Sequence, residues 1–335
     1  MLKLFAIDGR RGAKDNAGSL GMLPPRRRPE VASMSLLRSF TLALLLLLLC
    51  APLMLAQSNS IITDAHITFT TIDVPGAGVT NVFGINSAGD MVGSYGAAFN
   101  TPGHGFLFSG GNFTFFDYPG AYSTQAFGIN DSGLISGTAF VLQNTAAVGF
   151  LYDGTSFTTI RAPGKSGTLP RGINNAGTVV GGDGATLSAT KGFELIGTRF
   201  KTISPPGDFI YVFADGINNL GEIVGTDDNS SFFYRAGTFK TIGVAGASQT
   251  EAWGINDSRI IVGWYVTSAC LPCGFALKNG KYISLSYPGG QATAALGISA
   301  SGQIVGSYID PSNVTHGFVT SPITAADFER YGRRQ

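Results

Sequence analysis

Large apolar and small polar residues alternate through much of the chain. Gly105-Phe106-Leu107-Phe108, a Ser-Gly-Gly turn, then Asn112 to Asp117 carry the two-residue period of an antiparallel strand pair. The pattern recurs as Gly149–Tyr152 with Phe157–Ile160, Gly192–Leu195 with Phe200–Ile203, Ser231–Tyr234 with Phe239–Ile242, and Gly274–Leu277 with Tyr282–Leu285. Each copy then turns through Pro-Gly, at Pro119-Gly120, Pro163-Gly164, Pro206-Gly207 and Pro288-Gly289, or through Ala245-Gly246.

A second hairpin lies between these. Gly-Ile-Asn occurs with its glycine at Gly84, Gly128, Gly172, Gly216 and Gly254, and a sixth copy reads Gly297-Ile298-Ser299. Nine residues after each comes another glycine: Gly93, Gly137, Gly181, Gly225, Gly263 and Gly306. In Asn86-Ser87-Ala88-Gly89 the asparagine can bond back to the turn backbone, and the glycine accepts the left-handed conformation that follows a type I hairpin turn. Arg259 replaces that glycine in copy five and Ser299 the asparagine in copy six, so these two turns should be looser.

Four short strands in a unit of about 40–45 residues predict a propeller blade. The ends of the repeat region say how it closes. Phe69 to Asp73 is a fourth strand with no partner before it, and His316 to Val319 is a third strand with no partner after it. Pairing these two removes the edges an open array would expose. The expected fold is therefore all-β: a six-bladed β-propeller, four antiparallel strands per blade, closed by pairing of the first and last strands.

Composition agrees. Of 335 residues 13% are charged, and 47 Gly and 24 Phe rule out a coiled coil, a helical array or a charge-rich disordered chain. Residues 57–335 hold 14 basic and 18 acidic groups, a balance of −4, so clustered Lys and Arg for nucleic acid are missing.

Gly-Phe-Leu, a glycine turn, Phe-Thr-x-Ile-Asp, Pro-Gly-Ala and Ala-Phe-Gly-Ile-Asn-x-x-Gly-x-Ile-Val-Gly resemble the bacterial extracellular HAF repeat family, named for a His-Ala-Phe signature. The signature reads His104-Gly105-Phe106 and His316-Gly317-Phe318, while Val148, Lys191, Ser230 and Cys273 take the His position elsewhere, which argues against repeated His chemistry. The resemblance spans roughly residues 67–320. It implies export and a repeat fold, and no defined reaction.

Residues 34–56 read as a signal peptide: Arg38, an apolar run from Leu42 to Leu49, Pro52, then Ala56 before Gln57. The run is short of the roughly 20 residues of a membrane span, so no stable span is expected after cleavage. Residues 1–33 read as an unstructured or over-extended gene start, 57–66 as a linker, 67–320 as the propeller and 321–335 as a mobile C-terminal tail. The expected location is secreted or periplasmic.

Candidate chemistry is sparse. Cys270-Leu271-Pro272-Cys273 is a disulfide candidate, the alternative being a redox pair, although no helix follows to lower a thiol pKa. With His66, His104 and His316 as the only histidines, no metal or other cofactor is expected. Asp227-Asp228-Asn229 lacks calcium-loop spacing and reads as a solvated turn. Before the Gly-Ile-Asn glycines stand Phe83, Phe127, Arg171, Asp215, Trp253 and Leu296. Arg171 and Asp215 form either an ion pair between neighbouring blades or, with Gln125 and Glu251, a polar patch on one ring face. The aromatic residues Phe113, Phe115, Phe116 and Tyr118 could stack sugars, but their recurrence points to core.

The expected function is an exported, non-catalytic, monomeric binding module for an extracellular protein or polysaccharide. The alternative is an extracellular polysaccharide hydrolase or lyase with a site on one propeller face. An enzyme would gather acids of perturbed pKa in one pocket, and a binder would show a dispersed polar rim.

Overall fold

The structure, a computed structural model, describes residues 62–63, 67–98, 101–141, 147–184, 190–228 and 230–332. The proposed gene start and signal peptide, with Cys50, lie outside the described residues.

Each Gly-Ile-Asn hairpin is followed in register by its Gly-Phe hairpin, and the chain is all-β with repeated four-stranded antiparallel sheets. After β1 (Ile62–Thr63) and β2 (Phe69–Ile72), the first sheet is β3 (Val79–Ile85), β4 (Met91–Gly96), β5 (His104–Ser109) and β6 (Asn112–Phe116). The second is β7 (Ser123–Ile129), β8 (Ile135–Phe140), β9 (Ala147–Tyr152) and β10 (Phe157–Ile160). The third is β11 (Leu169–Ile173), β12 (Val179–Asp183), β13 (Lys191–Ile196) and β14 (Arg199–Ile203), and the fourth is β15 (Val212–Ile217), β16 (Ile223–Asp227), β17 (Ser230–Arg235) and β18 (Thr238–Ile242). The fifth is β19 (Gln249–Ile255), β20 (Ile261–Thr267), β21 (Cys270–Lys278) and β22 (Lys281–Leu285). The sixth combines β23 (Ala292–Ile298), β24 (Ile304–Ile309) and β25 (Thr315–Thr320) with β2, which pairs antiparallel with β25 from Phe69↔Thr320 to Ile72↔Gly317. One parallel bridge, Thr315↔Val79, links the sixth sheet to the first.

The recurring glycines are sites of close approach. Gly93 stands opposite Phe106, and a Cβ there would fall 1.9 Å from the Asn81 carbonyl oxygen and 2.6 Å from the Phe106 ring. Every unit repeats the pair, and Phe106, Phe150, Phe193, Phe232, Phe275 and Phe318 are fully buried. The Gly-Ile-Asn glycines meet one another. A Cβ on Gly84 would lie 3.2 Å from the Gly128 Cα, one on Gly172 3.2 Å from Gly216, one on Gly216 3.1 Å from Gly254, one on Gly254 3.2 Å from Gly297, and one on Gly297 3.3 Å from Gly84. Between Gly128 and the third sheet the nearest backbone is Arg171 O at 2.7 Å. First strands thus approach backbone to backbone, and the sixth approaches the first.

Asparagine ties the same strands together. The Asn86 side-chain oxygen accepts the backbone N–H of Ala88 and Asp90, while its Nδ2 donates to the Asn130 carbonyl. Asn130 donates to Asn174 O, Asn174 to Asn218 O, Asn218 to Asn256 O and Asn256 to Ser299 O, at 3.1–3.2 Å. The side chain that closes its own turn also reaches the next unit. A second tier follows: Ser87 N–H donates to Asp131, Asp131 N–H to Asn175, Asn175 N–H to Asn219 and Asn219 N–H to Asp257.

The turns of copies five and six keep the hairpin shape, with Arg259 at φ 56° donating its N–H to Asn256 O, but the Asn256 and Ser299 side chains each accept one backbone N–H, from Ile260 and Gln303, where the other four accept two. Three expectations are corrected. Part of the linker is β1, which pairs parallel with the otherwise free edge of β22, where unpaired backbone groups invite a partner. The C-terminal segment is no mobile tail; it holds a helix, Ala325–Gly332, with Thr324 and Asp327 capping its start. Ile323 and Phe328 are buried against Phe318 and Ile304, which is why the segment docks. Asp227 and Asp228 form no solvated turn: Asp227 is buried and accepts Ser230 Oγ, and Asp228 accepts the backbone N–H of Ile210 and Tyr211.

Asn174→Ala removes two turn bonds and the bond to Asn218, and should cost about 2–4 kcal/mol in denaturant unfolding. Ser299→Asn supplies the missing donor toward the first unit and should add about 1 kcal/mol. Phe328→Ala should cost about 3–5 kcal/mol, whereas a mobile tail would give no change.

Candidate functional site

In every first strand the ladder slips by one residue just before the Gly-Ile-Asn glycine, as between Val82 and Gly84 or Ala252 and Gly254. The extra residue of such a bulge is re-aimed out of the ladder. Phe83, Phe127, Arg171, Asp215, Trp253 and Leu296 are these residues. They converge on a space of about 520 Å³, open mouth included, along the line where the first strands meet. A neighbouring space of about 420 Å³ is lined by the asparagine turns.

Arg171 dominates the first space. Its guanidinium carbon lies 4.7 Å from the Phe127 ring centroid, 5.0 Å from Phe213 and 4.4 Å from Trp253, within cation–π range of all three. Nη1 is 3.7 Å from Asp215 Oδ1, an ion pair between the third and fourth sheets that is longer than a hydrogen bond. Nε and Nη1 are buried without a hydrogen-bond partner. Asp215 Oδ2 accepts Thr226 Oγ1–H at 3.0 Å, and Glu251 accepts Gln249 Nε2–H and Trp253 Nε1–H at 2.8 and 3.0 Å.

Burial sets the electrostatics. Desolvation is the largest influence on Asp215, pushed up to about 6 against the pull of Arg171, and on Glu251, pushed up to about 7 with Asp215 adding to the effect. Desolvation also lowers Arg171, opposed by both carboxylates. Tyr211 is pushed up to about 12, mainly by burial and next by Glu251.

Of the residues singled out from sequence, the structure brings Arg171, Asp215 and Glu251 together beside this space, with Asp215 buried and Arg171 and Glu251 half-buried. Gln125 stands two residues from Phe127 on β7 and makes no side-chain bond to these three. Sequence reasoning missed Phe213 as part of the cage, although it precedes Gly216 by three residues, the offset that picked out Gln125 and Glu251. Cys270 and Cys273 are joined as a disulfide, with Cα atoms 5.6 Å apart. Among the described residues no group of three His, Cys, Asp or Glu side chains is placed to hold a metal, and no helix is long and apolar enough to cross a membrane.

No family model matches the chain, and no curated protein matches it. Solved structures give distant likenesses. Virginiamycin B lyase from Staphylococcus aureus aligns at a TM-score of 0.45 and 10% identity, covering 77% of this chain and 89% of its own. Aleuria aurantia lectin in complex with Fucα1-6GlcNAc aligns at 0.46 and 11%, covering 75% and 93%. SapL1 lectin in complex with α-methyl fucoside aligns at 0.46 and 12%, covering 73% and 96%. At these values the likeness assigns neither a ligand nor an activity.

A carboxyl with its folded pKa above its unfolded value binds its proton more tightly in the native state. Its stabilisation is complete below the unfolded value, near 4, and is lost as pH rises through the folded one. For Asp215 and Glu251 stability should therefore fall between pH 4 and about 7. Glu251→Gln should flatten this slope in denaturant unfolding at pH 5, 6, 7 and 8; an unchanged slope would show that the carboxyl is not responsible.

Proposed function

We propose that the chain is an exported, non-catalytic six-bladed β-propeller of the HAF type. In this reading it binds an extracellular polysaccharide or protein through side chains presented at the rims of its sheets. The repeat motifs, the approach of the sixth first strand to the first and the β2–β25 pairing support the propeller. The apolar segment 34–56 supports export. One observation favours binding over catalysis: the ion pair at the centre of the charged cluster is largely buried. Asp215 has a side chain only 2% exposed, and the guanidinium beside it is covered by three rings. A polymer strand has no direct access to the Asp215 carboxyl, whereas rigid sheets carrying variable connections suit recognition.

The hydrolase or lyase reading keeps one specific support, two neighbouring carboxyls raised toward neutrality as an acid–base pair requires. Protein recovered from culture medium, tested on a glycan array and against secreted proteins, should begin near Gln57 and bind saturably without product formation. Asp215→Asn and Glu251→Gln should leave that binding intact. Depolymerisation that either substitution abolishes would replace this reading with the enzymatic one.

A further inference from the structure

Three positions of each unit converge beside the connection between its second and third strands. They are the second residue after the Val-Gly glycine, the residue opposite it on the third strand, and the residue following the fourth strand. The first unit places Tyr95, His104 and Asp117 there, and the sixth places Tyr308, His316 and Asp73. Nδ1 of each histidine meets the aspartate, His104 to Asp117 at 2.8 Å and His316 to Asp73 at 2.7 Å. The second unit has Ala139, Val148 and Arg161 in these places, so the fold does not require the trio.

The two trios differ in what covers them. In the sixth unit Tyr287 lies flat on Tyr308, centroids 3.5 Å apart at 5°, and bonds Thr71. His316 is 20% exposed and also faces Asp310. In the first unit Phe115 occupies the place of Thr71. It packs on Tyr95 at 4.8 Å and runs parallel to Phe113 at 6.1 Å, yet remains 49% exposed. His104 and Asp117 are each 48% exposed. The ladder position of Phe115, opposite the buried Phe106, holds Thr159, Thr202, Thr241, Ser284 and Thr71 in the other five units. Five sheets form with a small hydroxyl residue there. The sixth example carries a half-exposed aromatic ring beside an open His–Asp pair.

We propose that Phe115, His104 and Asp117 form a saccharide-binding site that takes one pyranose unit of a polysaccharide. The apolar C–H face of the sugar stacks on Phe115. Two hydroxyls donate to the polar pair, one to His104 Nε2, which is left an acceptor when Nδ1–H is held by Asp117, and one to the free carboxylate oxygen. A protein partner fits less well. Its interface needs about 800 Å² per side around an apolar core, and besides Phe115 only Tyr122 among the exposed large apolar side chains of the described residues lies near the first unit, Ile196, Ile210, Leu220 and Leu271 belonging to others. This inference rests on the binding-module reading and narrows it to carbohydrate. It also revises the view that the scattered histidines carry no chemistry, because each signature histidine comes with its aspartate.

The test is affinity electrophoresis of the full chain through gels containing dextran, mannan, polygalacturonate or soluble chitin oligomers. Wild-type protein should be retarded by at least one of them. Phe115→Thr, the residue of four sister units, should weaken retardation about tenfold or more, and His104→Val, the residue of the second unit, should weaken it too. Both variants should melt within about 2 °C of wild type, and Leu220→Ser should bind normally. Retardation that Phe115→Thr leaves unchanged overturns this site while the binding-module reading stands. No retardation of wild type by any of the four polymers overturns the saccharide assignment, and capture of a secreted protein would then carry the broader reading alone.

Discussion

The structure depends on one carboxamide used three times. Four of the five Gly-Ile-Asn asparagines accept two backbone N–H groups of their own turn and donate to the carbonyl of the next asparagine, and Asn256 accepts one and donates to Ser299 O. Aspartate could accept the turn bonds but has no N–H to reach across, and serine is too short. A turn and an inter-sheet joint therefore form in the same step, in a buried place where each unmade bond carries its full desolvation cost. The glycine two residues earlier lets first strands come close enough for that reach.

From this constraint the centre follows. Strands that meet backbone to backbone leave no room for inward side chains, except where a bulge turns one residue out of the ladder. The six bulged residues line the space where the first strands meet: four apolar side chains, one guanidinium and one carboxylate. Arg171 is tolerated because three aromatic faces replace part of its hydration and Asp215 supplies a counter-charge. Its unpartnered nitrogens mark the remaining cost.

Much of the fold was legible because repetition exposes it. The fixed nine-residue interval between glycines is the length that brings Gly93 opposite Val82 across the first hairpin, and the orphan strands at the ends announced the pairing of Phe69–Ile72 with Thr315–Thr320. The inter-unit half of the asparagine's work was hidden, since a turn signal and a lateral bond use the same residue. The bulge was hidden too: a one-residue slip inverts the two-residue phase, but a strand of five to seven residues is too short to display the inversion, so Arg171 and Asp215 could be read as a surface patch as well as an ion pair. The His–Asp pairs were missed for a simpler reason. Asp117 follows His104 by 13 residues, but Asp73 precedes His316 by 243, and the pattern shows only when the strand ladders are laid side by side.

The sharing of the sixth sheet between both ends of the chain has a temporal consequence. Phe69–Ile72 is among the first strands to be synthesised, and its partner Thr315–Thr320 among the last. While the intervening strands are made that early strand waits without its neighbour, and a product cut short before Thr315 can never supply it. The helix that follows then packs Phe328 beneath the finished sheet. Assembly of the sixth sheet therefore waits on the arrival of Thr315–Thr320, and the slowest step should be the one joining residues farthest apart in sequence.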